Sequence, residues 1–91
     1  MSVFDSRVAA ELNLHGFDAA QARQAVERLL GGKGGARPGE VAHIITGRGN
    51  HSTGRPVLLP LVGGIIRGEL GRRVAEYSKD ENEGGYLVRL R

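Results

Sequence analysis

Cysteine is absent from the 91 residues, which excludes a disulfide framework and any thiolate metal site. That lack fits a reducing setting and predicts a cytoplasmic protein. Aromatic side chains are almost as scarce, with only Phe4, Phe17, Tyr77 and Tyr86. So few rings argue against a base-stacking platform of the single-strand-binding type. No charged-then-apolar leader opens the sequence, and no apolar run approaches membrane-spanning length. The longest candidate, Val57 to Ile66, is interrupted by Pro60, Gly63 and Gly64. The chain therefore reads as soluble, with no membrane partner. Its length allows one domain, which buries roughly 60–65% of its unfolded surface on folding.

Arginine and glycine stand out instead. Eleven of the thirteen basic residues are arginine, and the formal net charge is +3. Between residues 31 and 73 lie Lys33, Arg37, Arg48, Arg55, Arg67, Arg72 and Arg73, opposed only by Glu40 and Glu69. Acid collects later, at Asp80, Glu81 and Glu83. A segregated basic field suits a polyanion partner. It also suits a plain solvated surface rich in arginine.

Hydrophobic periodicity divides the chain into short elements. Residues 1–9 carry no signal and read as a lead-in to a domain over 10–91. Residues 10–15 alternate with period two, which predicts a strand with Leu12 and Leu14 on one face and Glu11, Asn13 and His15 on the other. Asp18 and Gln21 form a capping-box pattern opening a helix, in which Ala22, Val26, Leu29 and Leu30 recur at helical spacing. Gly31 is expected to stop that helix, and Gly31 to Gly39 reads as a flexible connection. Residues 40–46 are apolar enough for a central strand.

Pro60 suits the first position of a second helix reaching Leu70, where Gly63 and Gly64 would let it approach the sheet. Residues 73–77 and 86–90 read as a third and a fourth strand joined by a polar hairpin. The expectation is a small two-layer α/β sandwich of order βαβαββ, its first strands parallel and its last antiparallel.

The informative stretch is Ile44-Ile45-Thr46-Gly47-Arg48-Gly49-Asn50-His51-Ser52. Glycines free backbone amides to face an anion, and an arginine between them adds a planar fork suited to phosphate. The pattern serves a phosphate-handling loop, and equally an ordinary glycine-rich turn. In a parallel sheet, ligands gather beyond the carboxyl ends of the strands. If the first two strands are neighbours, His15, the glycine loop and His51 meet there.

Three segments resemble one family. Leu12-Asn13-Leu14-His15-Gly16 is similar to the Leu-Asp-Leu-His-Gly motif of small MutS-related (Smr) domains. Thr46-Gly47-Arg48-Gly49-Asn50-His51-Ser52 resembles their Thr-Gly-x-Gly motif with its following His-Ser, and Glu83 to Leu90 resembles their glycine-rich closing strand. The resemblance implies a compact α/β sandwich that binds DNA or RNA, often with nicking or RNA-cleaving endonuclease activity.

One departure bears on catalysis. Asn13 stands where the family usually has aspartate, and an amide can orient a group but cannot act as a base. The crevice offers only Glu11 as a hard carboxylate ligand, so at most a weakly bound magnesium is expected. No zinc site is expected either, because His15, His43 and His51 lack ligand spacing. His43, inside an apolar strand, reads as a hydrogen-bonded sheet residue.

RNA cleavage needs no metal when the 2′-hydroxyl attacks. His15 and His51 would then move protons, Arg48 and the amides of Gly47 and Gly49 would face the developing charge, and Asn13 would orient. Thr46, Gly47, Arg48, Gly49, Asn50 and Ser52, with Lys33, Arg37 and Arg55, are the expected nucleic-acid contacts. The alternatives are a binding module that has lost cleavage, and a protein-interaction domain.

Overall fold

Alternation of small and polar residues makes the first strand, β1 (Val8–Asn13): Ala10 and Leu12 turn inward, while Glu11 and Asn13 stay exposed. The computed structural model describes residues 7–33, 35–47, 58–68, 70–80 and 84–91. β1 ends two residues before the alternation does, because the Asn13 side chain captures the His15 amide and Gly16 turns the chain at φ 85°.

Helix α1 (Ala19–Arg28) opens on the capping box foreseen in the sequence. Asp18 Oδ1 accepts from the Gln21 amide at 2.8 Å, and Gln21 Oε1 accepts from the Asp18 amide at 3.0 Å. Such a cap is worth about 1 kcal/mol. The glycines do not stop the helix at Gly31. It continues as a π-helical turn, Leu29–Lys33, in which the adjacent Leu29 and Leu30 are both buried. A widened turn keeps two consecutive leucines in the core, and glycine there adds no side chain to oppose it.

The connection that follows has a defined path over its described residues. Ala36 is buried in the core, and the Glu40 amide donates to the Arg37 carbonyl at 2.9 Å. Pro38 and Gly39 (φ 88°) occupy the middle of that turn, the pairing a type II turn requires.

Strand β2 (Val41–Ile45), helix α2 (Leu58–Arg67), strand β3 (Val74–Lys79) and strand β4 (Gly85–Leu90) complete the fold, with a 3₁₀ turn, Gly71–Arg73, before β3. Pro60 lies in the first turn of α2, where its missing N–H costs no intrahelical bond. Of the two α2 glycines, only Gly63 makes a close approach: a Cβ there would lie 2.5 Å from the Tyr86 hydroxyl. Gly64 faces open space.

The sheet order is β1-β2-β4-β3. β1 and β2 pair in parallel, and β4 runs antiparallel to both β2 and β3. The first three strands thus share a direction, as expected, but β4 is inserted between the second and third. Its buried Tyr86, Val88 and Leu90 suit an interior strand, whereas Glu76, Ser78 and Lys79 suit an edge. β2 is central, as its apolar run predicts. Both helices cover one sheet face, where Val26, Val62, Ile65 and Ile66 join Ala42, Ile44 and Val88 in a single core. Each large aliphatic buried there contributes roughly 1.5–3 kcal/mol. The result is a two-layer α/β sandwich whose other sheet face carries Glu11, His43, Glu76 and Arg89.

Candidate functional site

Beyond the end of β1 the chain makes a tight turn. The Leu14 amide donates to the Ile45 carbonyl at 2.8 Å, and the Phe17 amide donates to the Leu14 carbonyl at 3.0 Å. Gly16 takes the third position of this turn with positive φ, and Leu14 is wholly buried. His15 is thereby held exposed at the tip. The Asn13 Oδ1 oxygen accepts from the His15 amide at 2.9 Å, fixing the turn from the strand side. An aspartate oxygen would make the same bond. The departure at Asn13 therefore keeps the local geometry while removing a charge and a base.

β2 ends one strand away. The parallel register pairs Asn13 with Ile45, so the His15 turn and the Thr46-Gly47 segment leave neighbouring strand ends. Thr46 is 8% exposed, and its hydroxyl lies 3.0 Å from the Gly84 carbonyl and 3.2 Å from that of Gly47. The Thr46 and Gly47 amides both donate to the same Gly84 carbonyl, at 2.8 and 2.9 Å. Gly47, at φ 87°, is where the chain turns away. Its amide is thus engaged inside the protein and does not face an anion, because a donor beside the sheet must be paired. Arg48, Gly49, Asn50, His51, Ser52 and Arg55 lie outside the described residues.

Gly84 is itself held by Asp80. Asp80 Oδ1 accepts from the Gly84 amide at 2.9 Å, and the Asp80 amide donates to the Gly85 carbonyl at 3.0 Å. Asp80 Oδ2 accepts from His43 Nε2 at 2.9 Å. A continuous hydrogen-bonded line therefore runs from His43 on the open sheet face, through Asp80 and Gly84, to Thr46 and Gly47. His43 is the hydrogen-bonded sheet residue its strand context suggests. Asp80 is the positioning residue that sequence reasoning passed over. Its signal was an aspartate placed just ahead of the Gly84-Gly85 pair.

Glu11 approaches His43 from the other ring nitrogen, at 3.9 Å. The two carboxylates flank the imidazole and do not converge on a point where a cation would sit. Among the described residues, no group of three or more His, Asp or Glu is arranged to hold a metal ion.

Lys33 and Arg37 are both exposed, but neither joins this end. Lys33 closes the helix that runs back along β1, and Arg37 precedes β2. Arg37 therefore lies toward the opposite end of the strands from His15 and Gly47, whereas Lys33 sits alongside β1. Lys33 borders a shallow cleft of about 280 Å³ with Glu11, Leu12 and Arg28. Phe17, two residues beyond His15, is 39% exposed at the motif end.

The Smr domain family model matches residues 12–91, from the Leu12–Gly16 motif to the last strand. The chain belongs to the Smr family. Smr domains are associated with nucleic-acid binding and nuclease activity. Comparison with curated proteins and with solved structures gives no match. Among the described residues, no helix of the Smr domain is long and apolar enough to cross a membrane.

Proposed function

We propose that this Smr domain is a cytoplasmic protein that grips the phosphate backbone of DNA or RNA where β1 and β2 end, and that it cleaves RNA there. The reading is carried by the neighbouring exits of the two motifs, with His15 exposed on one turn and the arginine-bearing glycine segment leaving the other. Arg48, the amides of Gly49 and Asn50, and the Ser52 hydroxyl would cradle a phosphate beside Thr46-Gly47. Lys33, Arg37 and Arg55 would hold flanking polymer. Phe17 offers an apolar surface to a sugar or base.

In the cleavage step, one imidazole of the pair His15 and His51 accepts the 2′-hydroxyl proton as that oxygen attacks phosphorus. The other donates a proton to the departing 5′-oxygen, leaving a 2′,3′-cyclic phosphate. Arg48 offsets charge on the phosphorane. The chemistry uses Asn13 only to set the turn that presents His15.

A second reading is a binding module without cleavage. It is favoured by Asn13 itself, whose side-chain oxygen accepts from the His15 amide and whose amide cannot ionise to act as a base.

The test incubates purified protein with structured RNA and with supercoiled plasmid, with and without EDTA. The proposal expects EDTA-resistant RNA cleavage that drops about 10²–10⁴-fold in His15→Ala, with Arg48→Ala impaired as well. Salt-sensitive binding without products establishes the module. No binding to either polymer at low salt refutes both and leaves a protein-interaction domain.

A further inference from the structure

At the far end of the sheet from His15, three guanidinium side chains share one notch. Arg72 and Arg73 come from the 3₁₀ turn before β3, and Arg91 follows β4. Together they line a depression of about 260 Å³. The notch is held by backbone: the Arg73 amide donates to the Leu70 carbonyl at 3.0 Å, and the Arg91 amide to the Arg73 carbonyl at 2.9 Å. Arg91 Nη2 also leans on the Val74 carbonyl at 3.3 Å. All three residues are exposed, and none forms an ion pair with a carboxylate among the described residues. Arg89 in β4, two residues before Arg91, is the contrast, since Glu76 takes its Nε at 2.9 Å.

Three cations in one concavity repel one another and focus a positive field. A phosphate relieves that repulsion, and guanidinium forks match its oxygens. We infer that Arg72, Arg73 and Arg91 form a second phosphate-binding site at the opposite end of the sheet from the motif turns, engaging a distant stretch of the same nucleic acid. The inference rests on the nucleic-acid reading above. A six-residue strand such as β1 separates the ends by roughly 20 Å. About six base-pair steps of duplex cover that distance, so only a polymer longer than this engages both.

The test maps amide and arginine Nε resonances of the labelled protein during titration with inorganic pyrophosphate, and separately with an RNA duplex of about 16 base pairs. Pyrophosphate should shift Arg72, Arg73 and Arg91, and the duplex should shift these together with His15 and Gly47. Arg72→Gln/Arg73→Gln/Arg91→Gln should weaken duplex binding by about 10-fold or more and lower the log–log salt slope by about 2 to 3. Arg72→Glu alone, at a side chain that serves no hydrogen bond among the described residues, should weaken binding with unchanged thermal unfolding. Duplex shifts confined to the His15 end, with the triple variant binding normally, overturn the inference while sparing the proposed function. Duplex shifts confined to the arginine end overturn the proposed grip at His15, and with it the engagement of both ends by one polymer. Silence of the three arginines toward both probes also overturns the inference.

Discussion

The two ends of the sheet solve the problem of an exposed chain reversal in opposite ways. Where β1 and β2 finish, polar backbone groups are consumed internally: the Gly84 carbonyl takes two amides and a hydroxyl, and Asn13 takes the His15 amide. Where β3 begins and β4 finishes, backbone bonds set the path, and among the described residues no carboxylate pairs with the arginine side chains. The first end is shaped and the second is charged. Substitutions at the first should therefore act on folding and be nearly indifferent to salt. Those at the second should act on polyanion binding and be strongly salt-dependent.

Gly85→Ala should break the shaped end most severely. A Cβ at Gly85 would overlap the Ile44 carbonyl oxygen, a backbone atom of the central strand that cannot swing aside. Overpacking of that kind costs about 3 kcal/mol or more. Denaturant unfolding should show the loss at low and high salt alike. A loss that vanished with salt would mean the two ends are not so different.

Asp80→Ala comes next, at about 1–3 kcal/mol, because it strands the Gly84 amide and the His43 ring at once. Asp80→Asn keeps an acceptor for one of the two and should recover part of the loss. Equal stability of Asp80→Ala and wild type would show that Gly84 is held by its carbonyl bonds alone.

Much of the shaped end was legible in the sequence, and the reasons are local. Period-two alternation located β1 to within two residues, Asp18 with Gln21 announced the helix start, and Gly16 marked the turn. The insertion of β4 between β2 and β3 was not legible, since a hairpin fixes β4 against β3 but not which strand lies on its far side. Nor could spacing show that the Gly47 amide would be claimed by Gly84, a residue far along the chain. The basic residues between 31 and 73 look like one field when written in a line. The fold separates Arg37, Arg72 and Arg73 from the motif turns, sets Lys33 alongside β1 near Glu11 and Leu12, and brings in Arg91 from outside that stretch. Charge sums ignore direction, and strands have two ends.

Asn13→Asp has the smallest expected effect on folding and tests the comparison most finely. The bond at stake needs one acceptor oxygen, which both side chains supply at the same branch point, so the unfolding midpoint should barely move. Asn13→Ala removes the acceptor and should cost about 0.5–1.5 kcal/mol. If the shaped end is also where a phosphodiester reacts, Asn13→Asp has a further consequence: it sets a carboxylate, which can accept a proton as an amide cannot, beside the turn that presents His15. Faster cleavage at unchanged stability would give residue 13 a chemical part. An unchanged rate with unchanged stability would limit it to holding the turn, and would leave the proton chemistry to other groups.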